Sequence, residues 1–312
     1  MSRAITGNFP EVIKTGLRDV YFSSIKDHPK EFTAWVNVIK GEDPGGEAGK
    51  HFFEELEVAS FGNFAAKPEG DPISYDTFIQ GNLVRYTPYT FALGTRLTYE
   101  MKSDGRYGVF EKLSKELGYA ATNAMEVQAH RPLNSGFGTT GGTGFTAAGY
   151  DTLALFSSAH TLIRGGTAAN RLATDVDLSQ TGLELAHDTM QGTVTESGTP
   201  DPRVPATLIV PYQSEWIARE LLDSTNKPWT NTNDTNVVRN MVKPIFSHYL
   251  TDSDAWYLLA DKGRHDVKIW IRESPSFDIG DDFDTSDSKM KSMFRMASGH
   301  SDWRGCFGSA GA

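Results

Sequence analysis

One long helix is predicted near the middle of the chain, between Asp104 and Arg131. Apolar residues recur there at intervals of three or four positions, at Phe110, Leu113, Leu117, Ala120, Ala124 and Val127. We expect the helix to end before Pro132, because the residue that precedes a proline disfavours the helical conformation. About 27 residues at roughly 1.5 Å each make a helix about 40 Å long. A helix of that length needs a long surface to pack on.

Two segments that precede the helix are predicted to form strands, at 52–64 and 82–99. In the second segment five apolar side chains share one face of the strand at a period of two, namely Tyr89, Phe91, Leu93, Leu97 and Tyr99. The polar segment 67–72 between them is rich in turn residues, so the two strands predict an extended hairpin. A two-stranded hairpin alone is only marginally stable in water. We therefore expect this hairpin to be supported by something outside itself.

A short amphipathic helix is predicted at the N-terminus. Asn8 and Pro10 are typical of a helix start, and the segment Asp27-His28-Pro29 should end the helix. This helix has no local partner, so it must dock on the body of the chain or on a neighbour. A Gly-rich, acidic connector follows at 41–49.

The rest of the chain has a mixed α/β pattern without an internal repeat. Helices are predicted at 179–191 and 212–223. Strands are predicted at 206–210, 241–250, 255–259, 266–272, 290–297 and 302–307.

Composition excludes several classes of protein. Lys and Arg number 30 against 40 Asp and Glu, a net charge of −10. A protein that wraps nucleic acid needs an excess of basic residues instead. The single cysteine, Cys306, excludes an intrachain disulfide and a cysteine-cluster zinc site. No apolar run approaches the 18 residues or so that span a membrane.

The segment 133–152 alternates glycines with threonines and could suggest a phosphate-binding loop. The P-loop pattern needs a Lys after its last glycine, and none is present. The dinucleotide pattern is only approximated by Gly136, Gly138 and Gly141, and it follows a helix rather than a strand. A mobile loop is the favoured interpretation.

Ser158 and His160 could suggest a serine-type hydrolase, with Ser158 as nucleophile and His160 as base. The GxSxG motif is absent, and neighbouring positions in a sequence do not produce the geometry of a catalytic triad. We favour a structural His160 that bonds the backbone of a turn.

The other candidate groups also favour structural interpretations. The eight histidines are scattered without metal-ligand spacing. The acidic segment formed by Asp278, Asp281, Asp282, Asp284 and Asp287 lacks the EF-hand pattern and is expected to be a solvated loop. Cys306 is expected to be a small buried residue. Tryptophans are expected in the core or in interfaces, at Trp216, Trp256, Trp270 and Trp303.

No catalytic, cofactor-binding or metal-ligating residue is therefore predicted, and no cofactor. What remains is a helical arm, a long hairpin, a long helix and loops rich in glycine or asparagine. Each of these elements is poorly supported within one chain. The combination favours a protein that is completed by its neighbours.

In this order, the segments resemble a tailed-phage major capsid protein of the Hong Kong 97 fold type, in particular its Mu-like major head subunit branch. The resemblance covers the chain from about residue 40 onward. Its motifs are Ala92–Glu100 with the long helix, Leu155–Thr161, Asn170–Leu172, Leu208–Pro211, Thr230–Asn236, Ala255–Leu258 and Ser301–Gly305.

The resemblance implies an α+β fold with four parts. Residues 1–40 would be an N-terminal arm and residues 41–101 the extended loop hairpin that overlaps a neighbouring subunit. Residues 102–132 and 269–299 would form a peripheral domain with a long spine helix. Residues 133–268 and 300–312 would form an axial domain near the symmetry axes of hexamers and pentamers.

The implied function is self-assembly into hexamers and pentamers of an icosahedral head that encloses double-stranded DNA without sequence-specific binding. The chain would be a virion protein, assembled in the bacterial host cytoplasm, with portal and decoration proteins as further partners and no membrane. No long scaffolding region precedes the arm, and the start at Met1 favours a separate scaffold protein. The alternatives are the serine-type hydrolase that uses Ser158 and His160 and a sheet-rich binding module.

Two details of assembly are also expected. Acidic residues of the hairpin, Glu54, Glu55 and Glu57, are expected to pair with basic residues of a neighbour. Some capsids of this fold are cross-linked through a Lys and an Asn. Lys50 and Lys67 lie in the loop, but no matching signature is present, so no cross-link is predicted.

Overall fold

The computed structural model describes residues 10–41, 51–59, 61–103, 107–228 and 234–312. In these ranges the α-helices are α1 (Pro10–Asp27), α2 (Tyr99–Ser103), α3 (Tyr107–Asn134), α4 (Gln180–Gln191) and α5 (Glu215–Asp223). The first strands are β1 (Asn37–Lys40), β2 (Phe53–Val58), β3 (Gln80–Tyr86), β4 (Tyr89–Leu97), β5 (Phe145–Thr146), β6 (His160–Thr161) and β7 (Thr167–Ala168). The later strands are β8 (Pro205–Pro211), β9 (Lys243–Ser247), β10 (Trp256–Ala260), β11 (Lys268–Asp281), β12 (Ser288–Gly299) and β13 (Cys306–Ser309).

The larger sheet supports the long helix. Its strand order is β1-β11-β12-β4, and the short strand β5 also pairs with β12. β11 and β12 form a long antiparallel hairpin, while β1 lies parallel to β11. α3 packs along β12. The long surface that the predicted helix required is therefore this sheet.

Helix α3 confirms the predicted helix but differs from it in two respects. It continues through Pro132 to Asn134, because a proline in the last turn removes only one hydrogen-bond donor. Its buried face runs through Leu117, Ala121, Met125 and Ala129, whereas Val127 of the predicted face is 44% exposed. Residues 104–106 of the predicted helix lie outside the described residues.

Helix α1 docks on the body of its own chain, against α3. The two helices cross at Gly118, where a Cβ atom would lie 1.9 Å from Ser24 Oγ and 2.9 Å from the carbonyl oxygen of Tyr21. The Tyr21 hydroxyl forms a hydrogen bond of 2.6 Å with Ser292 of β12. The glycine is therefore required by the close approach of α1. Gly108 has no such neighbour.

The predicted hairpin is present but shorter, and its second strand is divided. β2 pairs with β3 in antiparallel register, while β4 pairs with β12 of the larger sheet. Pro88 lies between β3 and β4 and has no N–H to donate to a strand ladder, which ends the first pairing. The prediction of one continuous strand over 82–99 was wrong, and β2 ends at Val58 rather than near Phe64.

The smaller sheet, β13-β10-β8-β9, lies between two apolar clusters. Trp256 and Leu258 of β10 face one cluster, which includes α4 and α5. Tyr257 and Leu259 face the other, which includes Phe156. All five residues of β10 are buried. The central strand β10 is therefore covered on both faces of the sheet.

Several predicted boundaries were wrong, although each predicted strand is present. β11 and β12 are longer than predicted because they pair with each other far beyond the apolar core, out to Asp281 and Ser288. β9 is shorter than the predicted 241–250, and β13 begins later than the predicted 302. No described helix has the length and apolar character that crossing a membrane requires.

Candidate functional site

The hairpin tip, residues 61–79, carries large apolar side chains that the described chain does not cover. Phe64 is fully exposed, Tyr75 is 87% exposed and Phe78 is 66% exposed. The rings of Phe61 and Phe78 contact each other, with centroids 4.4 Å apart, yet both remain exposed. An apolar patch of this kind on a protein surface marks an interaction site.

The hairpin root is formed by β2, β3 and the residues on which these strands lie. Lys268 of β11 donates hydrogen bonds to both carboxylate oxygens of Glu55, at 2.6 and 2.7 Å, and also contacts Asp266 at 2.6 Å. The Ser301 hydroxyl bonds both Glu55 and the Tyr86 hydroxyl. Burial and the nearby Glu55 carboxylate raise the pKa of Tyr86 well above its usual value, so its hydroxyl stays protonated.

A second polar group lies at the root, around Arg304. Its guanidinium bonds Glu196 at 2.5 Å and Asp302 at 3.0 Å. Glu57 of β2 lies close by, and its carboxylate covers Gly81, where a Cβ atom would be 2.3 Å from Glu57 Oε2. Burial, together with repulsion from Glu196, raises the pKa of Glu57 to about 7.

Asp76 binds the segment that leads from the tip into β3 to the rest of the chain. Its carboxylate accepts hydrogen bonds from the backbone N–H groups of Gly62 at 2.8 Å and Thr77 at 2.9 Å. The Arg164 guanidinium binds the same carboxylate at 3.1 Å. The Gly62 N–H and Arg164 lower the pKa of Asp76. Contacts with the chain therefore reach Asp76, while Phe64 and Tyr75 remain uncovered.

Below the root, His160 lies at the centre of a buried hydrogen-bond cluster. Its Nδ1 lies 2.5 Å from Asp151 Oδ2, and its Nε2 lies 3.0 Å from Asn170 Oδ1. The Asn170 amide nitrogen donates to the carbonyl oxygens of Leu155 at 2.7 Å and Trp303 at 3.3 Å. The imidazole stacks on Trp303, with ring centroids 4.4 Å apart. His160 is structural, as predicted, but it bonds side chains rather than the backbone of a turn.

The hydrolase alternative is not supported by this geometry. Both ring nitrogens of His160 face oxygen acceptors, which leaves neither free to take a proton from Ser158. Ser158 is exposed, and no hydrogen bond joins it to His160 in the described part of the chain.

The sequence segments that carried the family resemblance converge at this place. Leu155 and His160 come from one segment, Asn170 from a second, and Trp303 and Arg304 from a third. Ser301 of that third segment binds the hairpin root. The motifs therefore build the platform on which the hairpin lies.

The remaining candidates from the sequence are packing or surface elements. In the glycine and threonine segment Phe145 is buried and β5 pairs with β12, whereas residues 138–143 are exposed, and the mobility of this loop stays a prediction. The expected acidic loop is partly strand, because β11 runs to Asp281, and Asp282 binds Lys289. Cys306 is buried as predicted, and burial raises the pKa of its thiol.

The last candidates from the sequence are metal ligands and tryptophans. Among the described residues, no group of three or more His, Cys, Asp or Glu side chains is placed to hold a metal ion. Trp256 and Trp303 are in the core, and Trp270 packs against Phe53, whereas Trp216 is 77% exposed. Trp216 thus belongs to the surface rather than the core.

Two of the three acidic hairpin residues that are expected to pair with a neighbour have partners within their own chain, and pairing with a neighbour stays a prediction. Glu54 binds Arg85 of its own hairpin at 2.5 Å, because the strand register places these residues opposite each other. Glu55 binds Lys268 of its own chain. Lys67 is exposed in the hairpin tip, and Lys50 lies outside the described residues.

Three residues of the root were not identified from the sequence, namely Glu196, Asp266 and Lys268. Lys268 offered a signal, since a lysine inside the apolar strand segment Val267–Ile271 needs a buried partner. Glu55 and Glu57 also share one strand face by their period of two. Nothing in the local sequence indicated Glu196 or Asp266 as their neighbours.

Comparison with known families decides the class of the protein. The sequence profile of the phage capsid protein family matches residues 82–308, which is most of the chain. The chain belongs to the phage capsid protein family. It is therefore a structural protein of the phage shell, and the resemblance to tailed-phage major capsid proteins is confirmed. The Mu-like branch stays a prediction.

Solved capsid structures share the fold of this capsid protein at low sequence identity. The procapsid of bacteriophage JBD30 is 14% identical, with a TM-score of 0.54, over 98% of this chain and 76% of that chain. The virus-like particle from Pyrococcus furiosus is 8% identical, with a TM-score of 0.54, over 95% and 98%. The capsid of Myoviridae phage XM1 is 12% identical, with a TM-score of 0.55, over 91% and 92%. The search of curated proteins gave no match.

Proposed function

We propose that this capsid protein is the subunit that assembles into the hexamers and pentamers of an icosahedral head around double-stranded DNA. The observation that carries the proposal is the hairpin tip, whose aromatic side chains the described chain leaves exposed. Each aromatic side chain contributes roughly 150–250 Å² when it is buried. A neighbouring copy of the chain can supply that burial, and a monomer does not.

The parts of the subunit follow from this assignment. Residues 1–40 form the arm, 41–101 the extended loop hairpin, 102–132 with 269–299 the peripheral domain, and 133–268 with 300–312 the axial domain. The contact of Glu55 at the root and the contact of Asp76 near the end of the tip hold the hairpin on its own subunit. The tip then extends over the adjacent subunit. Such head-to-tail contacts close into rings when the rotation between copies closes.

The further partners are those of a phage head. A separate scaffold protein, a portal and decoration proteins would act on the same shell, which assembles in the bacterial host cytoplasm. The net charge of −10 disfavours tight binding of phosphate backbones. The wall would thus enclose DNA without reading its sequence.

The subunit acts through interfaces rather than through an active site. We assign it no catalytic, cofactor-binding or metal-ligating residue. The observation that supports this assignment is the engagement of His160, whose two ring nitrogens bond Asp151 and Asn170. The same bonds support a role for His160 in holding the platform.

Electron microscopy and light scattering of the purified chain test the proposal. We expect rings or closed particles of many copies, with or without added scaffold. A chain that stays a monodisperse monomer under every assembly condition would refute the shell function.

The tip can be tested separately by the double variant Phe64→Ser and Tyr75→Ser. Lys67→Gln is the matched control, because it changes an exposed side chain of the same segment and removes no aromatic area. We expect the double variant to fold and to lose assembly, while the control assembles. Equal assembly of the two variants would show that the tip is not the contact.

A further inference from the structure

The hairpin root holds more carboxylates than cations around Arg304. Glu57 comes from β2, Glu196 follows α4 in the chain, and Asp302 precedes β13. The Arg304 guanidinium already donates to Glu196, to Asp302 and to the carbonyl oxygen of Val194 at 2.7 Å. Glu57 is therefore a third carboxylate near one cation, and the three hydrogen bonds described for that cation go to other groups.

The position of Glu57 depends on close packing of the hairpin against the body. Its carboxylate covers Gly81 and lies next to Ile163, since a Cβ atom at residue 81 would be 2.3 Å from Glu57 Oε2 and 2.7 Å from Ile163 Cδ1. The backbone N–H of Asn82 lies 3.4 Å from the same oxygen. One long hydrogen bond compensates poorly for the loss of water around a carboxylate.

We propose that Glu57 is a proton-operated latch, which holds the hairpin root on its own subunit when protonated and loosens it when ionised beside Glu196 and Asp302. The proposal rests on the proposed function, because a loosened hairpin matters through the neighbour that its tip contacts. The latch would adjust how freely the hairpin moves while subunits change their arrangement.

The surrounding charges define the direction of the effect. The charges that act on Glu57 are those of Glu196, Asp302 and Arg304, and the next acidic residue of the same strand face, Glu55, pairs with Lys268, which also pairs with Asp266. Burial and Glu196 raise the pKa of Glu57 from 4.5 to about 7. When the root is docked, the Glu57 carboxylate thus binds a proton more tightly than the carboxylate of an exposed glutamate does. Docking is strongest at acid pH, weakens progressively as pH rises from about 4.5 to about 7, and then stays weak.

Amide hydrogen exchange of β2 and β3 in the whole chain, corrected for the intrinsic rate, tests the latch. The shift from 4.5 to about 7 sets an upper limit of about 300-fold on the change in docking. Glu57 is partly exposed, so we expect exchange to rise about tenfold between pH 5 and pH 7.5 and to level off above that. Glu57→Gln should keep the slow, acid-like exchange throughout.

Glu54→Gln is the matched control, because Glu54 belongs to the same strand and pairs with the exposed Arg85. It should retain the pH dependence of the unsubstituted chain. If Glu57→Gln also retains that dependence, the latch is refuted. If that variant does not fold, the carboxyl ¹³C shift of Glu57 in the unsubstituted chain decides, since a midpoint below about 5 overturns the proposal.

Light scattering of the same samples separates the latch from the proposed function. A chain that titrates as expected but never assembles leaves the latch and refutes the shell. A chain that assembles while its root shows no dependence on Glu57 refutes the latch alone.

Discussion

The smaller sheet and the hairpin tip use similar apolar side chains in opposite ways. In β10, Trp256 and Leu258 are fully buried between sheet and helices. In the tip, Phe64 and Tyr75 are almost completely exposed. Burial of apolar area contributes about 25 cal/mol per Å². The sheet therefore stabilises the subunit itself, whereas the tip gains stability only when another surface covers it.

The difference shows that apolar content alone does not locate a core. Both segments carry aromatic side chains in the sequence, although residues 67–72 of the tip are polar. What separates them is that β10 has a strand on each side, β8 and β13, while residues 61–79 have no strand partner in the described chain. Substitutions in the two regions should accordingly affect different measurements.

The largest loss of stability is expected for Trp256→Ala. Removing a fully buried indole from between α4 and the sheet should lower the free energy of unfolding by about 3–5 kcal/mol. Denaturant unfolding followed by circular dichroism measures the change. Trp216→Ala, on the exposed face of α5, is the control and should stay within about 0.5 kcal/mol. Equal effects would contradict the assignment of the core.

The next largest effect is expected for Asn170→Ala in the cluster below the root. The variant leaves the carbonyl oxygens of Leu155 and Trp303, the N–H of Ser157 and one nitrogen of His160 without their partner. Each unsatisfied buried group costs about 1–3 kcal/mol, and partial relaxation should leave a loss of about 2–4 kcal/mol in total. Thermal unfolding measures it. Ser158→Ala should be neutral, and a larger loss for Ser158→Ala would reopen a role for that residue.

A smaller and local effect is expected for Lys268→Met at the root. The variant leaves Glu55 and Asp266 without their cation in a partly buried place, which should cost about 2 kcal/mol. Hydrogen exchange should rise in β2 and β3 and remain unchanged in β10. Arg85→Met breaks the exposed pair with Glu54 and should cost less than about 0.5 kcal/mol. If Lys268→Met leaves exchange in β2 unchanged, the root is held by other contacts.

The smallest effect on subunit stability is expected at the tip itself. Phe78→Ser should change the free energy of unfolding of the dispersed subunit by less than about 0.5 kcal/mol, because that ring is already largely in water. Assembly followed by light scattering should nevertheless weaken. If Phe78→Ser destabilises the subunit but leaves assembly normal, the tip stabilises the subunit itself and is not an assembly contact.

Much of the fold was predictable from local patterns. The period of α3, the alternation in β4 and the apolar segment of β8 each identified an element correctly. The pairing of strands was less accessible, because it depends on contacts between distant residues. Pro88 is the clearest case, since it redirects β4 from the hairpin to β12.

The candidate site was predictable only in its parts. His160, Asn170 and Trp303 each belonged to a recognised segment, but their mutual contacts span up to 143 residues of sequence, between His160 and Trp303. The raised pKa of Glu57 is caused by its burial and by Glu196, which comes from a different segment and has no local signature. Sequence patterns indicate which face of a helix or strand is buried. They do not indicate which charged residue will lie opposite that face.

The docking of α1 has a consequence for how the chain folds. Its main partner, α3, ends at Asn134, but Tyr21 also bonds Ser292, a residue 271 positions later, so α1 completes its contacts only after nearly the whole chain has been synthesised. Contacts of such long sequence separation form late, because the closure of a long loop costs entropy before any contact forms. Until then the part of the apolar face of α1 that packs against Phe277 and Met290 lacks its partners, and a chain terminated before β11 leaves that part exposed to chaperones and proteases. The first helix is therefore fully covered only in a subunit that has been synthesised as far as β12.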